Sequence, residues 1–326
     1  MNESFGVIGV LMGGPSVERA ISLKSGEAVV QALAGRGHRV VPVVLAPTDT
    51  TPERVAMRLQ ETGCDVAFVA LHGTFGEDGT LQDILERLGI PFTGSGSEAS
   101  RLAFDKWESR LRCAACDVPV ARGAHVTRRE AEALRNQCSR LHRQQWDGAL
   151  VVKPVHQGSS MGVSFATSPA ALSDAIGTAL QFDDDILLEQ CVRGRELTVA
   201  IFDEQALPVI EIRTPETFFN FQAKYHAAST EYLVPAPLKE TEALRVQQVA
   251  LTAHRALGLR HFSRVDLILA EDGIPYVLEV NAIPGLTARS LLPRAAQACG
   301  CGFPELCEHM VAMALDARTA TMSKAA

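Results

Sequence analysis

Hydrophobic and polar positions change their rhythm twice along the chain. In residues 5–105, the apolar runs "FGVIGVLMGG", "HRVVPVVLA" and "DVAFVALHG" alternate with "VERAISLKSGEAVVQALAGRG" and "TPERVAMRLQETG". The runs read as strands and the longer segments between them as helices that end at glycine. A strand–helix–strand alternation predicts a parallel sheet covered by helices, so the class is α/β. The stretch "PFTGSGSEAS" is rich in small residues and reads as a linker.

From 106 to 192 the pattern predicts a helix from Phe104 to Cys116, then "VPVARGAHV", then a helical, basic stretch reaching Arg143. A strand "GALVVKP" follows, then the Gly/Ser loop "HQGSSMGV", a helix, and a strand "DDILLEQCV". From 193 to 326 the strands "ELTVAIF" and "LPVIEIR" precede a polar-aromatic segment, Thr214 to Leu238, holding Pro215, Pro235 and Pro237. Long segments with few regular runs are usually functional, so this one reads as a loop or lid. The helix "TEALRVQQVALTAHRALG" comes next. Three regions are therefore expected, 1–105, 106–192 and 193–326.

The last region carries the most informative pattern, "RVDLILAEDGIPYVLEVN" from Arg264 to Asn281. Asp272-Gly273 between two apolar runs is a strong hairpin signal. With a two-residue loop, Glu271 pairs with Ile274, which puts Asp266 opposite Glu279 and Arg264 opposite Asn281. Side chains alternate along a strand, so these four share one face. Like charges directly opposite destabilise a hairpin, so something positive belongs between the two acids. Two carboxylates and an amide oxygen suit Mg²⁺ or Mn²⁺. A solvent-facing polar side with Arg264 neutralising the acids accounts for the pattern equally well.

Composition narrows the classes. A chain of 326 residues, 47% hydrophobic and 21% charged, is that of a folded protein long enough for two or three domains. A net charge of -7 argues against nucleic acid as a partner. No apolar run reaches the ~18–20 residues that cross a bilayer, so no membrane association is expected. The start "MNESFGVIGVLMGG" reads as a first strand rather than a signal peptide, so the expected compartment is the cytoplasm, with the eight cysteines mostly reduced. Cys113-Ala-Ala-Cys116 stands alone, and Cys299, Cys301 and Cys307 have no matching His pair, so neither builds a zinc or redox motif.

Further motifs are ambiguous singly. In "VVKPVHQGSSMGV", Lys153 ends a strand before Gly158, Ser159, Ser160 and Gly162, which makes either a phosphate cradle or an ordinary Gly/Ser turn. In "ILLEQCVRGRE", Glu189 and Glu196 flank a strand end where a base and a ribose could bind; two surface acids are the alternative. "GGPSVERAIS" offers Ser16 as a helix N-cap with Glu18 in the first turn. His72 in "ALHGTFGEDG" ends a parallel strand, the place where open α/β sheets put ligands, or is a satisfied loop histidine.

Taken in order, the segments "LMGGPSVERAIS", "ALHGTFGEDGTLQ", "FTGSGSEAS" with "FDK", "VVKPVHQGSSMGV", "LLEQCVRGRELTVAI", "QAKYHAASTEYLVPAPL", "SRVDLIL" and "YVLEVNAIPGLTARSLLP" closely resemble the D-alanine–D-alanine ligase family of the ATP-grasp ligases. The resemblance covers almost the whole chain. It implies a three-domain architecture with nucleotide bound between the central and C-terminal sheets, and ATP-dependent joining of two D-alanines for peptidoglycan synthesis. It implies Lys106, Lys153 and Ser160 at the ATP phosphates, Glu189 and the backbone of Gln190, Cys191 and Val192 at adenine, and Glu196 at the ribose. Asp266, Glu279 and Asn281 would hold two Mg²⁺ or Mn²⁺, and Arg264 with Gly285 would steady an oxyanion. Glu18, Ser159 and Tyr225 would form a hydrogen-bonded set near His72, with Ser290 and Leu291 at the second carboxylate. A homodimer with small-molecule substrates is the expected assembly. The chain departs from the family pattern at Asp83, Phe165, Phe219 and Ala282-Ile283, none of which is in that set. The rival readings are a ligase for a different acceptor, such as D-lactate, and a nucleotide-binding protein without turnover.

Overall fold

The computed structural model describes residues 5–136, 149–214 and 230–325, with side chains as far as residue 316. β1 (Val7–Gly13) is buried along its whole length and lies between β2 (Arg39–Leu45) and β3 (Val66–Val69), all parallel. Alternate residues face opposite ways, so both faces must be covered. Ile8 and Val10 pack with Val29 and Leu33 of α1 (Arg19–Gly35), while Leu11 packs with Val55 and Leu59 of α2 (Pro52–Thr62) and Leu85 of α3 (Thr80–Leu88). Two helices from the far end of the sequence, α9 (Leu291–Ala298) and α10 (Phe303–Ala325), send Leu292, Leu306 and Met310 into the α1 core.

The central region is an antiparallel sheet in the order β4-β7-β5-β6, formed by β4 (Gly123–Thr127), β5 (Leu150–Pro154), β6 (Ser164–Ala166) and β7 (Asp185–Gln190). Leu150, Val152, Ile186 and Leu188 pack against α6 (Arg128–Arg135) and α7 (Pro169–Ala179). The alternate positions Val151, Lys153 and Glu189 line a cleft on the opposite face.

The C-terminal sheet has six strands: β8 (Gly194–Phe202), β9 (Gln205–Ala206), β10 (Ile210–Arg213), β11 (Glu231–Leu233), β12 (Phe262–Ala270) and β13 (Pro275–Asn281). Leu197, Val199, Val265 and Leu267 bury against Val246 and Ala250 of α8 (Glu240–Ala256). The opposite face presents Glu196, Asp266 and Ile268 to the same cleft. The site therefore lies where two antiparallel sheets turn their polar alternates toward each other.

Several local expectations change. The helix expected from Phe104 to Cys116 is present as α5 (Lys106–Ala115), but a further helix, α4 (Ser97–Phe104), precedes it, so the expected linker ends in a helix. Asp105 breaks them because its side chain accepts from Trp107 N–H and Glu108 N–H, capping α5. Ser16 is not the N-cap of α1: Glu18 occupies that position, and Ser16 Oγ accepts from Glu18 N–H at 3.1 Å. β11 lies inside the segment expected to lack strands, because residues 231–233 complete the edge of β10. The remainder of the basic stretch to Arg143 falls outside the described residues.

The hairpin differs at its tip. The turn is closed by Gly273 N–H donating to Ala270 O, and Gly273 has φ +78, so the loop is longer than two residues. The pairings Leu267–Val277 and Ile268–Tyr276 are consequently offset by one from expectation. A bulge between Asp266 and Leu267, where Leu278 is the extra residue on β13, absorbs the offset. Arg264–Asn281 and Asp266–Glu279 then pair as expected, because the two irregularities cancel.

Candidate active site

The cleft between the sheets has a volume of about 520 Å³. Lys106, Lys153, Ser160, Glu189, Gln190, Cys191, Val192, Glu196, Asp266 and Glu279 line it. Met161, Phe165, Ile268 and Leu278 provide apolar walls, so one part suits a flat ring and another suits charge. The bulge explains why the consecutive residues Leu278 and Glu279 both reach the cleft. A smaller recess lined by Glu77, Gly158 and Asn281 shares Lys106, Gln157 and Glu279 with the cleft.

Lys153 is 7% exposed and its Nζ lies 2.5 Å from Glu189 Oε2. Arg110 of α5 lies 3.4 Å from the other Glu189 oxygen, and burial lowers the pKa of that guanidinium. Glu189 is thus held between two cations. The Gln190 and Cys191 N–H groups donate to Arg122 O and Ala149 O, each at 2.8 Å, which narrows the backbone that can meet a ligand at this strand end. Lys106 is the first residue of α5; its Nζ donates to Gln157 O at 2.5 Å and lies 3.6 Å from Glu279 Oε2.

Asp266 is 9% exposed and its carboxylate accepts from four groups. Arg264 Nε and Nη2 donate to its two oxygens at 2.8 Å each, Thr198 Oγ1 donates at 2.7 Å and Asn281 Nδ2 at 3.2 Å. The expected positive charge is present: Arg264 covers Asp266 and Lys106 stands by Glu279. The face is turned to the cleft rather than to bulk solvent. The two carboxylates and the Asn281 amide form an all-oxygen donor set with compensating cations on either side, which fits a hard divalent cation.

Glu18 is 7% exposed and accepts a short hydrogen bond from the Ser159 hydroxyl, which joins the N-terminal sheet to the Gly/Ser loop. A Cβ on Gly158 would stand 2.9 Å from Glu18 Oε2, so a larger residue there would push that carboxylate aside. Ser159 and Ser160 both have left-handed backbones, φ +51 and +58, which non-glycine residues adopt at a cost. His72 is buried, with Nε2 3.0 Å from Ser25 Oγ and Nδ1 3.3 Å from Glu77 Oε1. Burial, more than any other influence, raises the Glu77 pKa.

Ser290 is the N-cap residue of α9, and its Oγ accepts from Thr287 N–H at 3.1 Å. A Cβ on Gly285 would stand 3.0 Å from the same Oγ, so these two expected residues are neighbours. Leu291 packs against the core beside Ile212. Tyr225 and Phe219 lie outside the described residues. Asp83 pairs with Arg87 on α3 at 2.8 Å, Phe165 lines the cleft, and Ala282 and Ile283 are buried. The described cysteines are free thiols, and burial pushes Cys113 up to about 11.

Sequence reasoning missed Glu77, Arg110 and Thr198. Glu77 follows His72 by five positions in the same glycine-rich loop, a usable signal. Arg110 shares a helix face with Lys106 at i+4. Thr198 had no local signal, because it meets Asp266 only across the β8–β12 ladder.

Two antiparallel sheets gripping a lysine- and carboxylate-lined cleft, with a parallel-sheet domain closing one end, define an ATP-grasp protein. The model for the D-ala D-ala ligase C-terminus matches residues 113–312, and that for the D-ala D-ala ligase N-terminus matches residues 48–95. A D-alanine–D-alanine ligase of Anaeromyxobacter sp. is 42% identical over 312 residues, covering 93% of this chain and 95% of its own. The crystal structure of D-alanine–D-alanine ligase from Bacillus anthracis superposes with a TM-score of 0.83 at 34% identity, covering 97% of this chain and 99% of that one. The same enzyme complexed with ATP gives 0.80 at 30% identity, again covering 97% and 99%. The chain belongs to the D-alanine–D-alanine ligase family.

Proposed function

We propose that this protein joins two D-alanine molecules to D-alanyl-D-alanine, converting ATP to ADP and phosphate, for cell-wall peptidoglycan. The observation that carries the reading is the Ser159–Glu18 hydrogen bond. It connects a carboxylate suited to a substrate ammonium to the loop beside Lys106 and Lys153, so acyl substrate and phosphate donor meet in one space. ATP fits the cleft with adenine in the apolar slot near Glu189 to Val192, ribose at Glu196, and phosphates toward Ser160 and the two lysines.

A carboxylate is a poor acyl donor and must be activated. A carboxylate oxygen of the first D-alanine attacks the γ-phosphorus, ADP leaves, and an acyl phosphate forms. The amine of the second D-alanine attacks the acyl carbon, its proton departs, and phosphate leaves with the C–O electron pair. Lys106 and Lys153 offset charge on the transferred group, while Arg264 and the Gly285 N–H stabilise the tetrahedral oxyanion. Glu18 and Ser159, with Tyr225, orient the amines near His72, and Ser290 and Leu291 receive the second carboxylate. Asp266, Glu279 and Asn281 would hold two Mg²⁺ or Mn²⁺, which neutralise phosphate charge. The segment Thr214 to Leu238 would shield the acyl phosphate from water. A cytoplasmic homodimer completes the proposal; among the described residues no helix is long and apolar enough to cross a membrane.

The test is phosphate release with ATP and a panel of D- and L-amino acids and D-lactate, with products identified by mass. D-alanine alone should support turnover and give the dipeptide. Turnover only with a mixed pair would favour the different-acceptor ligase, and ATP binding without any turnover would sink both.

A further inference from the structure

His156 has no part in the roles above, yet it sits at the root of the Gly/Ser loop, between the segments that carry Lys106 and Lys153. Its Nδ1 lies 3.0 Å from Asp183 Oδ2, and its Nε2 lies 3.2 Å from Asp105 Oδ2. Its backbone N–H donates to the same Asp183 oxygen at 2.7 Å. A neutral imidazole has one N–H, and a carboxylate only accepts. A carboxylate at each ring nitrogen therefore calls for both protons and a positive ring. Hydrogen bonds donated by the ring to Asp105 and then to Asp183 raise its pKa to about 10, against the lowering effect of partial burial. Both carboxyls respond in the opposite direction and are lowered.

The three partners belong to separate segments. His156 follows β5, which bears Lys153. Asp105 is the N-cap of α5, whose first residue is Lys106. Asp183 lies in the corner between α7 and β7, and also accepts from Asp185 N–H at 3.1 Å. Asp185 faces the ring from β7 but is engaged by His125 of β4, with Nε2 2.7 Å from its carboxylate. Three further bonds follow the same path. Lys106 N–H donates to Val155 O at 3.3 Å, Lys106 Nζ to Gln157 O at 2.5 Å, and Gln157 Nε2 to Phe182 O at 3.2 Å. The chain then enters Gly158, against Glu18.

We propose that His156 is a positioning residue for the nucleotide, a two-armed cationic clamp that holds the Lys106 end of α5 against the root of the phosphate loop. The clamp sets the distance between Lys106 and Lys153, so that both lysines meet one phosphate chain. The proposal rests on the reading of the cleft as the ATP site. It predicts a larger effect on nucleotide than on D-alanine, because Lys106 and Lys153 flank the clamp directly, whereas of the described D-alanine contacts only Ser159 belongs to this loop and Glu18 and Ser290 come from other elements.

The experiment uses the full chain and measures Mg·ATP affinity by calorimetry, separately from D-alanine KM by phosphate release. His156→Gln keeps a donor but removes the charge and one arm. It should weaken Mg·ATP binding about three- to tenfold, the range for partly exposed paired charges acting together, and leave the D-alanine KM within about twofold. Asp183→Asn should match it, and the double variant should be no worse than either, because both break one network. His156→Arg, which restores a fixed charge with several donors, should recover most of the affinity. In the wild type, ¹⁵N shifts of both ring nitrogens should be those of protonated imidazole at pH 8. Unchanged Mg·ATP affinity in His156→Gln or Asp183→Asn overturns the clamp, as does an equal rise in the D-alanine KM or failure of His156→Arg to restore binding. If His156→Gln does not fold, Asp183→Asn and His156→Arg decide by the same readings. A wild type that binds ATP but releases no phosphate with D-alanine refutes the ligase reading and leaves the calorimetric test of the clamp intact.

Discussion

The β12–β13 hairpin and the Gly/Ser loop from 156 to 162 both aim side chains into one cleft, but they are held in opposite ways. In the hairpin, backbone ladders on both sides of β12 fix each position, and Asp266 faces Glu279 because register demands it. In the loop, Ser159 and Ser160 sit in left-handed conformations with no ladder. Their placement depends on Glu18, Lys106, Asp105 and Asp183, contributed from elsewhere in the chain. A ladder transmits position through repeating geometry, whereas a loop needs partners that converge on it. The hairpin should therefore suffer most from loss of a ligand atom, and the loop from loss of space or of a distant partner.

The largest effect is expected in the hairpin. Glu279→Gln keeps the shape but removes a charge beside Lys106, and turnover should fall by ~10²-fold or more, the scale of lost transition-state charge stabilisation. Rates at limiting and saturating Mg²⁺ read this, and wild-type rates at limiting Mg²⁺ would refute the pairing argument. In the loop, Gly158→Ala places a methyl against Glu18 Oε2. The D-alanine KM should rise about tenfold, a displacement worth roughly 1.4 kcal/mol, with little change in ATP affinity. Steady-state kinetics with each substrate varied in turn would expose a uniform effect, which would contradict it.

The hairpin tip should be nearly silent in catalysis. Gly273→Ala forces an alanine to φ +78, at a stability loss of about 1 kcal/mol. The Leu278 bulge lies between that turn and the acids, so kcat should stay within about twofold while Tm falls by a few degrees. A large loss of kcat would mean that the tip and the Asp266–Glu279 face are one rigid unit.

The smallest effect concerns pH. The folded-state pKa of His156 is about 10, above the ordinary value of 6.5. A raised pKa contributes stability that is fully present below the unfolded value and is lost as pH rises through the folded one. Between about pH 6.5 and pH 10 the wild type should lose stability that His156→Gln does not. The His156 side chain is 42% exposed, so solvent screening keeps the difference near or below ~1 kcal/mol. Parallel Tm curves for the two proteins across that range would argue against a charged ring.

Much of the molecule was legible in the sequence for identifiable reasons. Strands β1, β2 and β3 and helices α1 and α2 followed from local periodicity, and their burial matches it. The Asp266–Glu279 pairing followed from a period of two, even though the turn length was misjudged. That success depended on Leu278, an extra residue that no alternation pattern marks.

Sequence by itself determined the strongly periodic strands and helices, such as β1, β12, β13 and α1, and which strand faces carry charge, because those follow from side-chain spacing along one segment. Tertiary structure alone decided that Leu292 and Met310 complete the core under β1, that Thr198 supports Asp266, and that His156 joins Asp105 to Asp183. Each of these contacts joins residues many positions apart. Local propensity carries no information about such distances; only the packing of whole sheets and helices sets them.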